Sequence, residues 1–120
     1  MRFFPLFTRA LLGAIIVVEP ALSAEITGTK LLSDLSDTTF DCMQDEIPLV
    51  WRFNEIAPEA TFIHYTAVLH GKLIKATYNI TSNGRISSAE YGSERIVERS
   101  ADGSLKVTRV DGRVMTCFAR

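Results

Sequence analysis

The chain has 120 residues, 13 of them basic and 14 acidic, with a formal net charge of −1 and 47% hydrophobic residues. That length suits one small domain and excludes a multidomain enzyme. The near-neutral balance lacks the basic footprint of a nucleic-acid binder, so no nucleic-acid partner is expected.

In chain order the first element is a leader. Arg2 and Arg9 flank a positive start, Ala10 to Val18 is apolar, Pro20 ends the run, and Ala21-Leu22-Ser23-Ala24 offers small residues for cleavage. This pattern predicts a signal peptide over residues 1–24 and a single domain over residues 25–120. The apolar run is too short to cross a hydrocarbon core of roughly 30 Å, so no stable membrane span is expected after processing. The destination is then periplasmic or secreted.

Leu31, Leu32 and Leu35 predict one or two helical turns within Gly28 to Asp37, laid on the core. From Thr38 the rhythm becomes β. Thr39 to Gln44 is a short strand; Leu49, Trp51 and Phe53 then alternate with Val50, Arg52 and Asn54. Ala57-Pro58-Glu59 is a turn, and Thr61 to Leu69 is a mostly apolar β run. Leu73 to Thr81 is the clearest strand, with Ile74, Ala76, Tyr78 and Ile80 on one face. Ser82-Asn83-Gly84 supplies turn chemistry. Arg85 to Tyr91 and Arg95 to Arg99 are weaker strands, and Asp102-Gly103 marks a turn. Ser104 to Val110 and Arg113 to Ala119 are joined by Asp111-Gly112, a two-residue hairpin signal. Parallel strands need crossovers of about a dozen residues, which these turns do not provide. The expected fold is therefore all-β: a small antiparallel barrel of about eight strands, with a sandwich as the alternative.

Cys42 and Cys117 are the only cysteines. In an oxidising compartment they allow one connectivity, a disulfide from the first predicted strand to the last that would lock barrel closure. Charge is segregated along the chain. Glu25 to His70 carries two bases against eight acids, and Gly71 to Arg120 carries nine bases against five acids. Such segregation is expected to resolve by the two halves facing each other, with a basic binding surface on the second half as the alternative.

His64 and His70 are the only histidines, six apart, a spacing that fits neither a helical metal pair nor a zinc finger. No metal or cofactor is expected. The chain has no nucleophile elbow, no H-E-x-x-H and no phosphate-cradling Gly-rich loop, and a non-catalytic protein is the expectation. Glu90, Glu94 and Glu98 with Arg95 and Arg99 read as a solvated, mutually screened face. Trp51, Phe53, Phe62, Tyr65 and Tyr78 read as barrel core. The alternative is a small-molecule pocket near Trp51 and Tyr78, because barrel mouths are common ligand sites.

Phe40-Asp41-Cys42 near the start, Thr116-Cys117 at the end, and Ser87-Ser88-Ala89-Glu90-Tyr91 about 30 residues before the last cysteine together resemble the bacterial periplasmic and membrane-bound inhibitors of C-type lysozyme. Those proteins are eight-stranded antiparallel barrels closed by a disulfide, and they insert a loop into the lysozyme cleft. Ser88 stands where the family's Ser-Gly-x-x-Tyr motif has glycine, and the later aromatic-Trp-x-Lys-Gly motif is absent. The resemblance implies that Ser87 and Tyr91 belong to the inserted loop and that Arg99, the nearest cation, pairs with the catalytic carboxylates. The expected partner is a C-type lysozyme or another envelope protein.

Overall fold

The computed structural model describes residues 23–90 and 92–120. The predicted signal peptide lies, apart from Ser23 and Ala24, outside the described residues. Among the described residues there are nine strands and one helix: β1 (Ala24–Glu25), α1 (Gly28–Leu35), β2 (Thr39–Gln44), β3 (Ile47–Phe53), β4 (Phe62–Leu69), β5 (Lys72–Ile80), β6 (Ile86–Ser88), β7 (Glu94–Arg99), β8 (Leu105–Arg109) and β9 (Val114–Ala119). Strands β2 to β9 pair antiparallel in sequence order, and β9 returns to pair with β2, which closes an eight-stranded barrel. The outside strand β1 lies along β7, beyond the end of the short strand β6 (Ala24 faces Arg99).

Closure is a matter of register. At the β2–β9 seam Cys117 sits directly opposite Cys42, and the two form the disulfide. Cross-strand neighbours share a face, so both cysteines point inward; Cys42 is 4% exposed and Cys117 fully buried. The bond spans a sequence separation of 75. By loop entropy such a cross-link is worth roughly 4 kcal/mol. Arg120 reinforces the seam by donating from its backbone N–H to the Thr39 carbonyl and by pairing with Asp41 at 3.0 Å.

The strand alternation selects the interior. Phe40, Trp51, Phe53, Ile63, Tyr78, Ile86, Val97, Leu105, Val107 and Met115 fill it. Rings meet edge-on (Trp51–Phe53, centroids 4.7 Å) or stacked (Tyr65–Tyr78, 4.3 Å), arrangements that suit the quadrupoles of aromatic faces and edges. Phe62 falls on the other side of the β4 alternation. It is 54% exposed on the outer wall, against His64, and so stands apart from the aromatic core predicted for it.

Helix α1 plugs one end of the barrel. Leu31, Leu32 and Leu35 are its buried face, and eight residues of helix are too few to persist in water without that burial. Asp34 receives Lys30 and, from the barrel, Arg99 at 2.9 Å. At the same end Gly28 donates its backbone N–H to the Gly84 carbonyl. Three turns share one form. Residues 82–84, 101–103 and 110–112 each connect two strands with glycine last, at φ +76°, +88° and +90°. The predicted two-residue Asp111-Gly112 hairpin is thus a three-residue loop, because Arg109 and Arg113 are the residues that close it. The two-residue turns are Asp45-Glu46 and His70-Gly71, all four residues at positive φ. Four ion pairs join the acidic first half to the basic second half: Glu25–Arg85, Asp34–Arg99, Asp41–Arg120 and Asp45–Arg113.

A Cβ on Gly84 would lie 2.6 Å from the Gly28 nitrogen, whereas one on Gly103 meets nothing within 4 Å. Both glycines have left-handed backbone, so the difference between them isolates the clash with the helix start. Gly84→Ala is expected to lower the urea midpoint by the equivalent of about 2–4 kcal/mol, and Gly103→Ala by about 1 kcal/mol. Equal losses from the two variants would show that the helix plug does not depend on this approach.

Candidate functional site

The barrel end opposite α1 is bounded by the β2–β3, β4–β5, β6–β7 and β8–β9 connections. Inside it lies a cavity of about 130 Å³, lined by Gln44, Leu49, Trp51, Tyr65, Ala67, Tyr78, Arg95, Val107, Arg109 and Met115. Its walls follow from period-2 alternation: Leu49 and Trp51 come from β3, Tyr65 and Ala67 from β4, and Val107 and Arg109 from β8. Trp51 stands edge-on to Tyr78 at 6.2 Å. The Arg95 guanidinium lies 5.8 Å from the Tyr78 ring centroid, and its Nη1 donates to the Ser93 carbonyl and hydroxyl at 2.8 and 2.9 Å. Burial, and then the neighbouring Tyr65, push the Tyr78 phenol well above its ordinary range.

Trp51 and Tyr78, the predicted pocket residues, are brought together at this cavity. The residues implied by the family resemblance are not gathered in one place. Ser87 is 7% exposed, held in β6 between Asn79 and Glu94. Arg99 lies at the far end of β7, towards the helix plug, where its guanidinium bonds to Asp34 and to the Gly103 carbonyl. Tyr91 lies outside the described residues. His64 and His70 do not share a strand face: His64 is on the outer wall, sharing a hydrogen bond with Thr77, and His70 is in a turn.

The charge run on β7 is not one screened face. Alternation sends Glu94 and Glu98 outward, to Arg85 at 3.2 Å and Lys106 at 3.9 Å. Arg95 and Arg99 share the side of buried Val97, one at the mouth and one at the plugged end. Arg95 and Arg109 were therefore missed as site residues. The available signal was the interleaving Arg95-x-Val97-x-Arg99 and Val107-x-Arg109, which places each arginine on an apolar face.

The outer wall carries a second feature, an apolar depression that includes Met43, Val50, Val68, Val114 and Phe118, with Phe118 52% exposed. Among the described residues no group of three or more histidine, cysteine, aspartate or glutamate side chains is placed to hold a metal ion. Also among them, no helix is long and apolar enough to cross a membrane.

These features define a class by structure: a closed, disulfide-locked antiparallel barrel with a helix in one end and an amphiphilic cavity in the other. Comparison with protein-family models, curated proteins and solved structures finds no significant match.

The buried Tyr78 phenol gives the site a pH signature. A raised pKa means that the native state holds the proton more tightly than the unfolded chain, whose phenols titrate near 10. Its contribution to stability is complete below about pH 10 and declines as pH rises beyond that. Urea midpoints are expected to fall steeply above pH 10 in the wild type and less steeply in Tyr78→Phe. Parallel curves would mean that Tyr78 ionises freely in the folded protein.

Proposed function

We propose that this is an exported binding protein that takes a small molecule into the open mouth of its barrel and performs no chemistry on it. The observation that carries the reading is the cavity itself. A concave aromatic and aliphatic surface is placed beside a few convergent polar groups, the usual composition of a ligand site. The disulfide supports export, since such bonds persist in oxidising compartments, and with the leader pattern the reading is a periplasmic or secreted protein. Guanidinium, amide and aromatic groups bind and orient, and that is the role assigned to them.

Trp51 is the only tryptophan and lines the cavity, so its fluorescence reports occupancy directly. Titration of the disulfide-intact protein with small apolar and amphiphilic molecules is expected to shift or quench Trp51 emission saturably. Ala67 also lines the mouth, and Ala67→Phe, which fills it, is expected to weaken that binding at least tenfold while preserving the far-ultraviolet spectrum. Binding that survives the filled mouth would place the ligand elsewhere.

A second reading, inhibition of a C-type lysozyme, is favoured by one observation: the fold is the closed, disulfide-bonded eight-strand barrel that the resemblance implies. The residues it calls on are divided between the ends, with the connection after Ser87 on the mouth side and Arg99 at the plugged end. Micromolar protein is then expected to inhibit C-type lysozyme, and Arg99→Ala to relieve the inhibition. An unaffected lysozyme would remove this reading and leave the first untouched.

A further inference from the structure

Arg95 of β7 and Arg109 of β8 are direct cross-strand partners, and both line the mouth cavity. Like charges directly opposite on neighbouring strands are destabilising. Elsewhere Arg99 is neutralised by Asp34, Arg85 by Glu25 and Glu94, and Arg120 by Asp41, while Arg52 on the outer wall donates to the Thr39 hydroxyl. At the mouth, Arg95 is treated differently. Among the described residues no carboxylate lies within 4.0 Å of Arg95, and its hydrogen bonds use Nη1 alone, to uncharged Ser93. Arg109 pairs with Asp111 at 3.8 Å, through a side chain 51% exposed on the adjoining turn.

Two arginines with spare N–H donors thus line one recess together with Leu49, Ala67, Val107 and Met115 and the rings of Trp51, Tyr65 and Tyr78. We propose that the mouth binds a small organic carboxylate, its anionic head between Arg95 and Arg109 and its compact apolar body against the aromatic wall. The assignment rests on the mouth being a ligand site, and adds the chemical class of the ligand. A guanidinium fork matches a carboxylate bidentately, and a single negative charge between two cations converts their repulsion into two charge-assisted contacts. The cavity, at about 130 Å³, suits a body of benzoate size and is small beside pockets of roughly 300–1,000 Å³.

The test uses the disulfide-intact protein and four probes: benzoate, hexanoate, the neutral isostere benzamide and inorganic phosphate. Binding is followed by Trp51 fluorescence and by calorimetry. Benzoate is expected to bind at least tenfold more tightly than benzamide and phosphate, and to weaken as salt screens the head group. Hexanoate, a carboxylate with an aliphatic body, is likewise expected to bind more tightly than benzamide. Arg95→Gln and Arg109→Gln should each weaken benzoate at least tenfold, and Arg99→Gln, at the plugged end, should leave it unchanged. Arg109→Gln should leave the urea midpoint unchanged or raise it, whereas Arg95→Gln also gives up the bonds to Ser93. Arg95→Lys and Arg109→Lys keep the charge without the fork, and give the same reading if a glutamine variant fails to fold. Benzamide binding as tightly as benzoate, or benzoate indifferent to all four mouth variants, overturns the carboxylate assignment but keeps the ligand site. Failure of every probe, and of the broader panel, by both methods overturns both.

Discussion

The return of the last strand to the first is the constraint on which everything else in this protein depends. Strand β9 reaches β2 only after 75 residues of chain have been wound around the barrel, and the Cys42–Cys117 bond holds that seam. Loop closure over such a length is a loss of chain entropy that no local contact repays, and a cross-link removes most of it from the unfolded side. With the seam shut, the alternating inward residues of eight strands enclose a common interior, and the barrel has no exposed edge at β2 or β9. With it open, the same strands form a sheet whose apolar face meets water.

Closure makes the two ends unequal. One receives α1, whose three leucines complete the core and whose start is fitted against the glycine turn at Gly84. Asp34 neutralises the arginine that points to that end. The other end receives no helix among the described residues, and two cross-strand arginines line it, Arg95 beside the Tyr78 ring. Stability is concentrated where chain and charge are both satisfied. On the proposed reading, binding is assigned to the end where Arg95 has no carboxylate partner, as expected of a site that trades some stability for interaction.

Most of the strand order was legible in local pattern. The alternation in Leu73 to Thr81 placed Tyr78 inside, and glycine turns marked three of the connections. The errors share one cause. Glu94 to Arg99 reads as a mixed charged face only when charge is counted along the chain; in a strand, neighbours point to opposite sides, and the glutamates and arginines part company. Phe62 fails similarly, since apolar character alone does not say which face of β4 turns inward. The two-residue turns at Asp45-Glu46 and His70-Gly71 carry a weaker signal than Asn-Gly or Asp-Gly, and strand register around them selects their positive φ.

The amino-acid sequence by itself did not reveal the outside strand β1, but it determined the antiparallel β class, a count of about eight strands matched by the eight of the barrel, and the single disulfide connectivity. Each of these follows from turn chemistry, period-2 patterning and the presence of two cysteines, all readable within a few residues or by elimination. Only the tertiary structure decided that Arg95 stands opposite Arg109, that Arg99 is satisfied by a helix 65 residues away, and that Ser87 is buried. Those facts depend on register between strands and on which end of the barrel the helix fills. Both are settled by packing across long sequence separations, where a one-residue shift would turn every side chain to the other face.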